Sequence, residues 1–137
     1  MADNKPRGRV TVQLASGPVV VVDAASQLAA SDAERIAVVA EPCGKLSVME
    51  ALRVRPAALF LVSLENDADE AGLGAADASG IPCAAVTSTP LHQGDGHALW
   101  LAGKVAAANA AARRRGVKQG MTVQQAAGLL MAWNRVA

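Results

Sequence analysis

The stretch RIAVVAEPCGKLSVMEALRVRPAALFLVSL, Arg35 to Leu64, decides the fold. It opens on RIAVVA (35–40) and closes on AALFLVSL (57–64), two short apolar runs without polar alternation. Runs of that kind predict strands buried on both faces. Between them, Ser47 with Glu50 three residues later makes a capping-box pattern, predicting a helix that must end before Pro56. Strand, helix and strand in that order make one parallel unit with a crossover helix.

Toward the C-terminus the pattern continues. IPCAAVTS (81–88) is a third buried run, reached through a helix predicted from Asp67 to Ala78, weakened by Gly72 and Gly74 and stopped by Gly80. Asp95 can cap a long helix running to Arg115, with Gly116 just beyond its end. Thr122 with Gln125 forms a second capping box. It opens a last helix that carries Val123, Ala126, Ala127 and Leu130 on one face.

Toward the N-terminus, VTVQL (10–14) and PVVVVD (18–23) are β-branched and separated by ASG, as in a hairpin. Gln27 to Glu34 fits one or two helical turns. Residues 1–8 read as a flexible tail and 9–137 as a single domain, since 137 residues hold one ordinary core. The predicted fold is an α/β three-layer sandwich around a mostly parallel sheet, with an N-terminal antiparallel hairpin at its edge.

The chain is apolar for its size: 52% hydrophobic and 18% charged, against roughly 45–50% and 25% in typical domains. Yet no apolar run is long enough to span a membrane. The basic start followed by VTVQLASGPVVVV is broken as a signal peptide by Gln13, Ser16, Gly17 and Pro18. Cys43 and Cys83 form no CxxC and no disulfide framework, so a reducing cytoplasm is the expected location.

A net charge of +1 hides a divided layout. Pro56 to Gly103 holds six acids and no Lys or Arg, whereas Lys104 onward holds six basic residues and no acid. The two regions can neutralise each other within the fold or between copies, and neither arrangement favours nucleic acid. Arg113, Arg114 and Arg115 read as the end of a helix, where cations oppose the dipole and Gly116 supplies the left-handed cap. Along the predicted 96–115 helix, Gly103, Ala107 and Ala111 make one small-residue stripe and Ala102, Ala106 and Ala110 the next. Such stripes suit close packing inside the chain or against a partner.

Chemistry is expected at the carboxyl ends of the strands, where loops carry helix N-termini. There Cys43 precedes a helix with Lys45 two residues on, both of which would lower a thiol pKa, so Cys43 is the candidate nucleophile beside its plainer reading as a small buried hydrophobe. Lys45, Ser47, Asn66, Thr87 and Ser88 are the candidate ligand-binding set, for an anionic small molecule. The HQGDGH loop, with His92, Asp95 and His97, has no zinc spacing, and Glu65, Asn66, Asp67 and Asp69 fit a helix start as well as Mg²⁺, so no metal site is assigned. No cofactor is specified.

Two functions follow. The first is a non-catalytic accessory or oligomer-forming subunit, acting on a second copy or a larger protein partner. The alternative is a small enzyme or sensor that holds an anionic small molecule at the strand ends. The incomplete catalytic arrangement favours the first.

Overall fold

The computed structural model describes residues 9–14, 17–64, 67–87 and 95–136. The predicted tail, 1–8, lies outside them. Six strands form one sheet in the order of the chain: β1 (Arg9–Leu14), β2 (Gly17–Val22), β3 (Ile36–Pro42), β4 (Ala58–Val62), β5 (Cys83–Thr87) and β6 (Lys104–Ala108). β2 to β5 run parallel, whereas β1 and β6 flank them antiparallel. This is the predicted α/β sandwich with its edge hairpin. The antiparallel β6 at the far edge was not in the prediction.

Right-handed crossovers that always add the next strand on the same side place every connection on one face. The packing agrees. Val20, Val22, Leu59 and Leu61 meet the 3₁₀ turn Ala25–Gln27, helix α1 (Lys45–Leu52) and helix α2 (Asp67–Ala78). Their neighbours Val19, Val21, Val38 and Phe60 point the other way, against α3 (Gly96–Ala102) and α5 (Val123–Val136). Alternate residues of each strand thus enter two different cores, so the strands show no polar alternation.

The run from 96 to 115 is three elements, not one helix. Gly103 ends α3: a Cβ there would sit 2.6 Å from the Leu99 carbonyl oxygen and collide with the Val86 side chain. KVAAA then pairs with β5, and Asn109 starts α4 (Ala110–Arg114). Alanine is small enough for either state, and pairing with β5 outweighs its helical preference. Of the two small-residue stripes, Gly103 and Ala111 are buried, Ala106, Ala107 and Ala110 are half-buried, and Ala102 is exposed. Beyond α4, Val105 N–H donates to the Met121 carbonyl (2.7 Å) and Gly120 N–H to that of Val105 (2.9 Å). Residues 120–122 thereby occupy the outer side of β6.

Both capping boxes have definite outcomes. Thr122 and Gln125 make theirs reciprocally, each backbone N–H donating to the other's side-chain oxygen at 3.0 Å. Ser47 and Glu50 do not. α1 starts three residues earlier, with Gly44 rather than Ser47 at its N-cap, which leaves Ser47 inside the first turn and turns Glu50 to Arg53 (2.9 Å).

Candidate functional site

At the carboxyl edge of the parallel strands, several of the described polar side chains hold the backbone. After β2, Asp23 accepts from Gly96 N–H (2.8 Å), which docks α3 on the end of that strand. A Cβ on Gly96 would stand 2.5 Å from the Val22 carbonyl oxygen. Gln27 Oε1 accepts from Asp23 and Ala24 N–H, and Glu41 Oε1 from Ala25 N–H, all at 2.9 Å. After β4, the buried Asp69 accepts from Ser63 Oγ (2.6 Å) and Leu64 N–H (2.8 Å), closing the loop into α2. Asp95 caps α3 through Ala98 N–H (3.1 Å). These are the partners that loop backbones need when they leave a sheet.

Of the candidate ligand residues, Lys45, Ser47 and Thr87 fall within the described part of the chain. Lys45 is exposed at the start of α1, with no partner among the described residues, and Ser47 is half-buried two residues further. Thr87 Oγ1 donates to the Lys104 carbonyl at 3.3 Å and so ties β5 to β6. Asn66, Ser88 and His92 lie outside the described residues, while His97 is exposed. No cluster of three or more His, Cys, Asp or Glu suited to a metal ion occurs among the described residues.

Cys43 has no exposed surface. Its N–H donates to the Val62 carbonyl (2.7 Å), and α2 crosses it so closely that a Cβ on Gly72 would lie 3.1 Å from its Sγ. Cys83 faces the same core, and both thiols are free. The Cys83 thiol is held well above the ordinary range, first by its hydrogen-bonding neighbour Cys43, then by burial and by the charges of Cys43 and Asp77.

The strand order bears on where a ligand can sit. Doubly wound sheets bind ligands at the crevice where the order reverses and adjacent connections part to opposite faces. Here the parallel strands follow one another without reversal. A cavity of about 430 Å³ instead lies at the amino edge, lined by Leu52, Arg55, Pro56, Ser79 and Ile81. Sequence reasoning passed over these residues, because a helix end before proline reads as punctuation. The one local signal was a second arginine, Arg55, where a helix ends.

The RRRG cluster does close a helix. Arg113 and Arg114 occupy the last turn of α4, Arg115 is its cap and Gly116 is left-handed at φ +100°. Arg113 donates to the Ala108 carbonyl (2.7 Å), and the Arg115 guanidinium lies 4.2 Å over the Trp133 ring. No protein-family model, curated protein or solved structure matches the chain.

Proposed function

We propose that this protein is a non-catalytic α/β subunit that acts by protein–protein association, through the outer face of α1. The observation that carries this reading is the exposure of Leu46 (84%) and Met49 (52%), one helical turn apart. Val48 and Ala51 anchor the opposite side of α1, so the helix is already docked while two large apolar side chains face water. Two adjacent large apolar side chains on a docked helix offer a surface that a partner could cover. The engagement of the strand-end carboxylates with backbone N–H groups also favours a scaffold over a catalyst. Two free buried thiols suit a reducing compartment, and we place the protein in the cytoplasm.

Light scattering at high micromolar concentration tests this. The wild type is expected as an oligomer or bound to a co-purifying protein, and Leu46→Gln with Met49→Gln is expected to release monomer without lowering the melting temperature. A monomeric wild type with no co-purifying protein overturns the reading. If the acidic middle of one copy meets the basic C-terminal third of another, added salt also loosens the assembly.

A further inference from the structure

A second, independent site lies at the opposite end of the sheet from the loops expected to carry chemistry. The amino-edge cavity, about 430 Å³, falls within the range of small-molecule sites, roughly 300–1,000 Å³. Leu52, Pro56 and Ile81 give it apolar walls, and Arg55 and Ser79 its polar groups.

Three observations single out Arg55. First, its backbone is left-handed at φ 55°, a region that favours glycine and penalises a side chain. Second, that conformation is held on both sides. Arg55 N–H donates to the Leu52 carbonyl (2.9 Å), and the Arg55 carbonyl accepts from Glu34 N–H (2.9 Å), itself left-handed at φ 62°. The backbone therefore fixes where this side chain leaves the chain. Third, the guanidinium has no hydrogen-bond or ion-pair partner among the described residues. Arg53, two positions earlier, donates to Glu50 and to the carbonyls of Ala25, Ser26 and Leu28. One arginine is spent on the fold. The other, like Ser79, is exposed and borders the cavity, in a conformation that glycine would adopt at lower cost.

We infer that this cavity binds a small carboxylate with a short apolar body. A guanidinium presents paired N–H donors that match a carboxylate bidentately, and the Ser79 hydroxyl can donate beside it. Leu52, Pro56 and Ile81 take the hydrocarbon. The C-terminal ends of α1 and α2 approach the same edge; their partial negative charge favours the guanidinium and opposes an anion, so a bound carboxylate depends on direct pairing with Arg55. The inference does not depend on the association proposed for α1, whose Leu46 and Met49 are not among the cavity's lining residues.

The test is an amide-resonance titration of the full chain with hexanoate, hexanamide and acetate. Hexanoate is expected to shift the amides of Leu52, Arg55, Ser79 and Ile81 saturably. Hexanamide, which lacks the charge, and acetate, which lacks the body, are each expected to bind at least about tenfold more weakly. Arg55→Gly keeps the left-handed backbone and removes only the guanidinium, and it should weaken hexanoate by at least about tenfold. Arg55→Lys should restore part of the loss through charge alone. No saturable shift at these amides, an equal response to hexanamide, or an equal response in Arg55→Gly overturns the inference.

Discussion

Asn109 is buried with all of its side-chain groups engaged. Its Oδ1 accepts from Cys83 and Ala112 N–H, both at 3.0 Å, while Nδ2 donates to the carbonyls of Leu73 (3.3 Å) and Ile81 (2.9 Å). One side chain thus joins α2, β5 and the start of α4. Asp77 completes that start by accepting from Ala110 and Ala111 N–H. Asn109→Asp keeps the two accepted bonds but turns an anionic oxygen toward two carbonyls. It should cost about 2–4 kcal/mol at neutral pH. Because this environment favours the protonated acid, the folded-state pKa would rise, and the loss should shrink as pH falls through it in urea melts. A loss that does not change with pH would contradict the assignment. Asp32 has the opposite sign. Two bonds from Arg9 (2.8 and 2.9 Å) hold its carboxyl below the ordinary value against the upward push of burial, with Ala29 N–H (2.7 Å) and Arg35 helping. A depressed pKa contributes stability that is complete above the unfolded value, about 3.9, and is lost as pH falls through the folded one. Wild-type stability should therefore drop more steeply below about pH 4 than that of Asp32→Asn.

At the scale of elements, a glycine within a helix and one between a helix and a strand give opposite expectations. A Cβ on Gly128, within α5, meets nothing within 4 Å, so Gly128→Ala should gain about 0.5–1 kcal/mol from the helix and the unfolded chain. Gly103 has an ordinary extended backbone, φ −70° and ψ 152°, but no room, and Gly103→Ala should lose about 1–3 kcal/mol by overpacking. Thermal melts of the two variants would move in opposite directions. The same glycine explains what could be read in advance. β3, β4 and β5 were legible because each is an apolar run bounded by polar or turn residues, and α5 because Thr122 and Gln125 mark its start. The segment from 96 to 115 was not, because a run of alanines carries no period of its own. Gly103 and Asn109, the two residues that punctuate it, act through contacts with Val86 and Cys83 that lie outside the segment. At the carboxyl edge the positions of the polar residues were legible, since helix starts require them. Their partners were not: Asp23 serves a helix 73 residues away.

Across the whole molecule the two edges of the sheet differ. One is β6, along whose outer side residues 120–122 lie, bonded to both backbone groups of Val105; the other is β1, beyond which no further strand lies among the described residues. α5 spans the sheet beneath both, from Val123 bonded to Gly103 to Met131 beside the hairpin residue Gly17, so the edges are held at opposite ends of one helix. This asymmetry limits how copies could grow through strand addition. Endless extension needs a head-to-tail contact, in which one free edge meets a different free edge on the next molecule. With β6 already occupied, a copy has only β1 to offer. Two such copies meet related by a twofold axis, and each then has no edge left to pass on. The short turn after α4 acts as a chain terminator: strand-to-strand growth would stop at two.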